Sequence, residues 1–232
     1  MASRQVPPKP RRTPPAGRAA TAPSALTLQR NVLAAVIIGV ILLAGVFVIT
    51  HRGARSAGPA AAAGPAYQVG RPGPGQLAPP VQLPSTRGGT FSLASLRGQT
   101  VLLYFQEGLT CQPCWDQLKD LEGHQTQLRA LGITQMASIT TDPLDQLRQK
   151  ASDEGLHTAV LSDPNLTVSS AYNANRYGMM GTSRDGHTFI LVGPSGRILW
   201  RADYGGAPNY TMYVPVNQLL QAMRTGLRAD HA

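Results

Sequence analysis

The stretch Val101–Leu121, VLLYFQEGLTCQPCWDQLKDL, constrains this chain more than any other. Apolar, strand-forming residues run without a break from Val101 to Phe105, the pattern of a strand buried on both faces. A short loop follows, then Cys111-Gln-Pro-Cys114, then apolar residues at Trp115, Leu118 and Leu121. Their spacing predicts an amphipathic helix that starts at the cysteines and extends to about Leu131, where Gly132 stops it.

Both cysteines of the protein therefore fall in the first turn of one helix. Cysteines at i and i+3 can close a disulfide there. A helix N-terminus presents partial positive charge and free N–H groups, and both favour thiolate over thiol. The more exposed Cys111 is the expected nucleophile, and Cys114, one turn in, is the expected resolving thiol. Pro113 lacks an N–H and has a fixed φ, so it suits the first turn and stiffens the pair. Two blander readings compete. A purely structural disulfide would close a very small loop and constrain the unfolded chain little. A zinc half-site would need a second ligand pair, and the chain has only these two cysteines. A redox-active dithiol is the reading that remains.

The net charge of +9 points at first to an acidic partner. Residues 1–75 hold nine basic side chains and no acidic one, while the other 12 basic residues face 12 acidic ones. The folded part is thus neutral, which excludes the basic face that a nucleic-acid binder needs. Residues 1–30 are rich in Pro, Arg and Ala and are expected to be a disordered basic tail. From Val32 to Ile49, 18 residues carry no charge. A helix of that length covers roughly 27 Å, close to a bilayer core. Residues 31–50 are therefore read as a transmembrane helix rather than a cleaved signal peptide. Six basic residues precede the span and two, Arg52 and Arg55, follow it closely. The positive-inside rule puts the N-terminus in the cytoplasm and the bulk of the chain outside, in the cell membrane's oxidising exterior. Residues 51–76, mostly Gly, Pro and Ala, read as a tether.

Residues 77–232 form the expected domain. Two short extended pieces (Ala78–Pro84 and Thr90–Leu93) flank a turn at Gly88-Gly89, and Ser92–Leu96 forms one helical turn. Strands are expected at Val101–Phe105, Ile133–Ile139, Ala159–Leu161, Thr188–Val192 and Arg197–Trp200, the last two as a hairpin. Helices are expected from Asp142-Pro143 to Glu154, with Asp142 as the cap, from Asp163-Pro164 to Tyr172, and from Val214 to Leu227. Arg176–Gly186 reads as a loop and Asp203–Gly206 as a turn. Strands that alternate with helices, plus a late hairpin, imply an α/β fold with a mixed sheet flanked by helices.

This order, with VLLYF, CQPC and the hairpin HTFILVGPSGRILWR, resembles the thioredoxin-like superfamily. The segment APPVQLPSTRGGTFSLASLRGQTVLLYF is similar to its redoxin branch, the peroxiredoxins and membrane-anchored thiol–disulfide oxidoreductases. The resemblance implies a thioredoxin-like sheet and a reactive Cys111–Cys114 pair, with protein disulfides or dithiols as substrates and a second redox protein as recycling partner. It implies no cofactor. The chain departs from the family at three places. Where peroxiredoxins carry Thr or Ser and Pro before the peroxidatic cysteine, this chain has Gly108 and Tyr104. Gly186 holds the place of the substrate-docking cis-proline, with His187 next to it. The buried acid of thioredoxins is absent, and Glu107 is the nearest carboxylate, a candidate proton acceptor for Cys114 or a solvated loop residue. A resemblance to Sco-like copper chaperones implies a weaker alternative, a Cys111, Cys114, His187 copper site, against a plain hydrogen-bonded loop histidine. Met179, Met180 and Met212 are candidate soft ligands, a docking surface, or gap-filling residues. His124 and His157 read as surface positions. Three functions follow in order: thiol–disulfide exchange, peroxide reduction through a Cys111 sulfenic acid, and copper carriage.

Overall fold

The computed structural model describes residues 65–229. The expected tail, the transmembrane span at 31–50 and most of the tether lie outside the described residues. Among the described residues no helix is long and apolar enough to cross a membrane.

A hairpin of β1 (Gln82–Pro84) and β2 (Thr90–Ser92) leads through a short 3-10 turn, Leu93–Leu96, into β3 (Thr100–Phe105). Then come α1 (Gln112–Gly123), α2 (Gln125–Ala130), β4 (Ile133–Thr140), α3 (Leu144–Asp153) and β5 (Ala159–Ser162). The chain closes with α4 (Thr167–Ala171), β6 (Thr188–Val192), β7 (Ile198–Asp203) and α5 (Val216–Ala229). The main sheet has the order β5-β4-β3-β6-β7. β3 pairs parallel with β4 and antiparallel with β6, so the sheet is mixed as expected.

β3 is central, and its apolar run is divided between two cores. Leu102 and Tyr104 join a cluster with Trp115, Leu118 and Leu121 of α1, Leu147 of α3, and Leu219 and Met223 of α5. Val101, Leu103 and Phe105 face the other way, onto Val81 and Leu83, and Val168 and Tyr172 beside α4. Helices cover one face, while the hairpin and α4 cover the other.

Three elements differ from expectation. The long helix after the cysteines breaks at His124, whose φ of −108° and ψ of 25° leave the helical region. Its ring nitrogen Nδ1 lies 2.7 Å from the Asp120 carbonyl, a group the helix end would otherwise leave open. Asp142 does not cap α3, where Pro143 holds the cap position without a side-chain bond. Its carboxylate turns instead toward the loop before Cys111. Asp163 does act as a cap: its carboxylate accepts from the backbone N–H groups of Thr167, Val168 and Ser169. The segment Arg176–Gly186, read as plain loop, begins at the end of a short 3-10 turn, Ala174–Arg176, and contains another at Gly181–Ser183.

The domain also begins earlier than residue 77. Gln68 pairs antiparallel with Asp203, and the Gly75 N–H donates to the Ile198 carbonyl at 2.8 Å, so residues 68–76 cover the outer edge of β7. Covering that edge removes a row of free strand groups that would template aggregation. One buried ion pair fastens the segment. Asp203, read from sequence as part of a turn, ends β7 and is 1% exposed. It takes the Arg201 guanidinium, the Thr188 hydroxyl at 2.8 Å and the Gly70 N–H at 2.7 Å. Arg201 also donates to the Pro72 and Tyr172 carbonyls.

Removing one partner leaves the other charged and dry. Asp203→Ala should therefore lower unfolding stability by about 3–5 kcal/mol, read from urea unfolding midpoints. Limited proteolysis of the same variant should cut within residues 65–76 ahead of the domain. A loss below about 1 kcal/mol would show that the pair does not hold this edge.

Candidate active site

Cys111 and Cys114 are joined by a disulfide across the first turn of α1, with Cα atoms 5.3 Å apart. Cys111 stands at the N-cap position and Pro113 occupies the first turn, as the spacing predicts. Cys111 is 6% exposed and Cys114 fully buried. The outer sulfur is therefore the one a partner can reach. Gln112 and Pro113 between them are exposed. Met212 packs against both cysteines, so the pair lies in an apolar setting.

The loop that delivers Cys111 is tied down on two sides. Asp142, just past β4, accepts the Leu109 N–H at 2.8 Å and the Thr140 hydroxyl at 3.0 Å. Arg184 bridges the Asp142 carboxylate (2.8 Å) and the Glu107 carbonyl (3.0 Å). Gly108 adopts φ +88°, and a Cβ there would lie 1.7 Å from Asp142 Oδ2. Only glycine allows this approach, which accounts for the missing peroxiredoxin-type Thr at this position. Trp115 closes the loop from the helix side, its indole N–H donating to the Gly108 carbonyl at 3.0 Å.

Glu107 is not the solvated loop residue that one reading expected. It is 3% exposed and its Oε1 accepts the Met179 N–H at 2.6 Å. Its recorded hydrogen bonds do not reach Cys114. That position is held instead by Tyr104, whose hydroxyl lies 3.3 Å from the Cys114 carbonyl and 2.9 Å from His187 Nδ1. Both contacts are satisfied together when Nδ1 donates to the hydroxyl and the hydroxyl donates to the carbonyl. Tyr104 stacks on Phe189, with ring centroids 4.5 Å apart, which fixes the pair from below. Burial, and then the Glu107 charge, push the Tyr104 hydroxyl well above its usual range, so it stays protonated.

His187 is hydrogen-bonded, as the plainer reading expects, and it is also buried. It is fully buried directly before β6, and its Nε2 has no partner. Burial pulls its pKa down to about 3, so the ring is neutral at physiological pH. Among the described residues no three His, Cys, Asp or Glu side chains are gathered closely enough to hold a metal ion, and the two cysteines are closed as a disulfide. Met179 and Met180 are exposed, while Met212 alone of the three methionines meets the cysteines. His157 is exposed as expected, and His124 is half-buried.

Gly186 does not present an open docking strand. Its N–H donates to the Ala174 carbonyl at 3.0 Å, and the His187 N–H donates to the Tyr177 carbonyl at 3.2 Å. A Cβ on Gly186 would fall 1.6 Å from the Tyr177 oxygen, so the chain passes directly over this point. Asp142, Arg184 and Tyr104 are the site residues that sequence reasoning missed. Tyr104 was visible as a strand position and as the residue in place of a family proline, and Asp142 as a helix cap. Their roles depend on partners 33 to 83 residues away in the chain.

A central strand that ends in a disulfide-bearing helix N-terminus, within this mixed sheet, defines a thioredoxin-like redox domain. Residues 74–201 match the AhpC/TSA family, and the chain belongs to that family. It is 31% identical over 131 residues to the protein named "Putative peroxiredoxin Rv2521" of Mycobacterium tuberculosis, covering 54% of this chain and 82% of that one. The crystal structure of peroxidoxin BcpB from Mycobacterium tuberculosis superposes with a TM-score of 0.55 at 17% identity, over 68% of this chain and 97% of that one. A "putative Thiol:disulfide interchange protein DsbE" from Chlorobium tepidum gives 0.51 at 20% identity, over 69% and 99%. At such identities these two likenesses show the fold alone, and the fold serves both kinds of name.

His187 yields a pH prediction. Below about pH 6.5 the unfolded chain binds a proton that the folded, buried ring refuses until about pH 3. This contribution to stability is intact above pH 6.5 and falls by about 1.4 kcal/mol per unit below it. Buried Asp185, pushed up by desolvation, has the opposite slope, so the parent alone hides the effect. In urea unfolding at several pH values, the stability of the parent minus that of His187→Gln should fall steadily from pH 6.5 downward. A difference that does not change with pH would contradict the neutral, buried ring.

Proposed function

We propose that this protein is a membrane-anchored thiol–disulfide oxidoreductase that works outside the cytoplasm. Membership of the AhpC/TSA family supports redox chemistry at cysteine. The observation that carries the finer reading is the closed Cys111–Cys114 disulfide within one helical turn, one sulfur near the surface and the other buried. Both sulfurs are in place for exchange without any unwinding of α1. The uninterrupted apolar run at 32–49 supports the anchor, and the six basic residues before it support a cytoplasmic N-terminus.

In the oxidising direction a partner thiolate attacks Cys111 Sγ. The intramolecular S–S bond breaks and Cys114 leaves as a thiolate, which takes up a proton. A second thiolate of the partner then attacks the partner's own sulfur in the mixed disulfide and releases Cys111. The partner gives up two electrons and becomes a disulfide. The reverse sequence reduces a partner disulfide. Tyr104 holds the Cys114 backbone through both states. Asp142 and Arg184 hold the loop, so Cys111 meets its partner in a fixed place. A second redox protein is the proposed source or sink of electrons.

The peroxiredoxin name carried by the 31% identical relative favours a second reading. There Cys111 would attack a peroxide, become a sulfenic acid and release water or alcohol, and Cys114 would displace a further water to close the disulfide. The site supports this less well. Gly108 stands where a hydroxyl side chain is expected, and the Arg184 guanidinium is engaged by Asp142 and the Glu107 carbonyl.

The two readings separate with Cys114→Ala. The variant should accumulate a mixed disulfide through Cys111 with protein substrates, seen as a thiol-reversible mass shift on non-reducing gels. Accumulation of a Cys111 sulfenic acid with peroxide, and no mixed disulfide with protein, would overturn the exchange reading.

A further inference from the structure

Seven large apolar side chains are exposed among the described residues, and four of them, Met179, Met180, Tyr210 and Tyr213, lie on the two segments that border the disulfide. The first segment is tied to the loop before Cys111: the Met179 N–H donates to Glu107 Oε1, and Arg184 donates to the Glu107 carbonyl. The second segment carries buried Met212, which packs on Cys111 and Cys114. It flanks that contact with exposed Tyr210 and Tyr213. Tyr213 and Pro113 also border a shallow groove of about 410 Å³ along α1.

The charges at this surface are largely satisfied. Arg184 is paired with Asp142 and Lys119 with Glu154, each at 2.8 Å. Asp116 accepts the Gln112 amide at 3.0 Å and Asp120 accepts the Tyr213 hydroxyl. Residues 204–215 contain no charged side chain at all, and Arg176 is the exposed charge left without a partner on the first segment. The surface therefore has little with which to select a charged ligand. Nor can a partner pair its backbone at Gly186 and His187, because the Ala174 and Tyr177 carbonyls already hold those N–H groups.

We propose that Met179, Met180, Tyr210 and Tyr213 form the docking surface for an apolar, unfolded polypeptide segment that carries a cysteine, gripped by side chains rather than by strand pairing. This rests on the thiol–disulfide reading and names its substrate class. Flexible methionines adapt to many apolar sequences, and tyrosines supply large contact area at small entropic cost. Such a surface accepts varied partners, as an exchange enzyme acting on incompletely folded chains requires. The chemistry is the exchange described above: the segment's cysteine joins Cys111, Cys114 is released, and both electrons pass between the segment's cysteines and the pair.

The test uses the full-length chain in detergent, glutathione disulfide to re-oxidise the Cys111–Cys114 pair, and short dithiol peptides whose two cysteines are flanked by Leu and Phe, by Ser and Asp, or by Leu and Phe with N-methylated amides. The apolar peptide should show kcat/KM at least about tenfold above the polar one, and the N-methylated peptide should stay within about threefold of the apolar one. The double variant Met179→Lys, Met180→Lys should lose most of this preference, and Tyr210→Ser should reduce it. A preference unchanged in both variants overturns the proposal, as does a tenfold loss on N-methylation, which would mean strand pairing. A dimer in the parent that the double variant splits would make a second copy the occupant and also overturn it. Exchange with none of the peptides would instead count against the oxidoreductase reading itself.

Discussion

The whole site hangs on the burial of β3 on both faces and both edges. Tyr104 faces Ser138 of β4 on one side and Phe189 of β6 on the other, while its neighbours Leu103 and Phe105 look into the opposite core. A strand held in four directions has one register, because a shift by a single residue would exchange its two faces. The end of β3 is thereby fixed, and the Gln106–Thr110 loop leaves the sheet at its carboxyl edge, where open α/β sheets place their chemistry. The end of β4 lies beside it and contributes Asp142. The segment before β6 contributes Arg184 and His187. Each of these residues acts on the loop or the helix start, so the cysteine position is a consequence of the sheet.

Apart from the buried Glu107 side chain, what surrounds the disulfide is nearly uncharged. Arg184 is neutralised by Asp142, His187 is kept neutral by burial, and Tyr104 keeps its proton. Met212 adds an apolar wall. Reactivity at Cys111 then depends on the helix N-terminus, which favours the thiolate without any ion pair. A buried cation beside the sulfur would favour attack on a small polar oxidant. A neutral, apolar rim suits attack on another sulfur carried by an apolar chain.

Much of this was legible in the sequence, for identifiable reasons. The apolar run of Val101–Phe105 predicts a doubly buried strand, and Thr188–Val192 reproduces its expected bounds. The CxxC spacing predicts a helical first turn, because that signal is local. The parts that were not legible depend on distant partners. Asp142 before Pro143 carries a helix-cap signal, yet its carboxylate is drawn to the loop that Gly108 and Leu109 bring against it. Glu107 and His187 looked like loop residues because nothing local marks their burial. Residues 68–76 read as a Gly- and Pro-rich tether, and what fixes them to β7 lies far along the chain: backbone pairing with Asp203 and Ile198, and the Arg201–Asp203 pair. Gly186 was placed correctly at the start of the hairpin, but the segment that covers it could not be seen from spacing.

The central claim is that the Cys111–Cys114 pair exchanges disulfides with proteins rather than reducing peroxide. The most direct measurement takes the fully reduced chain and compares its second-order rates of oxidation by a protein disulfide and by hydrogen peroxide, in stopped flow with tryptophan fluorescence as the signal. The account predicts that the protein disulfide reacts faster and that the disulfide closes without a sulfenic acid on the way. Faster oxidation by peroxide, with a Cys111 sulfenic acid trapped before the disulfide closes, would contradict it.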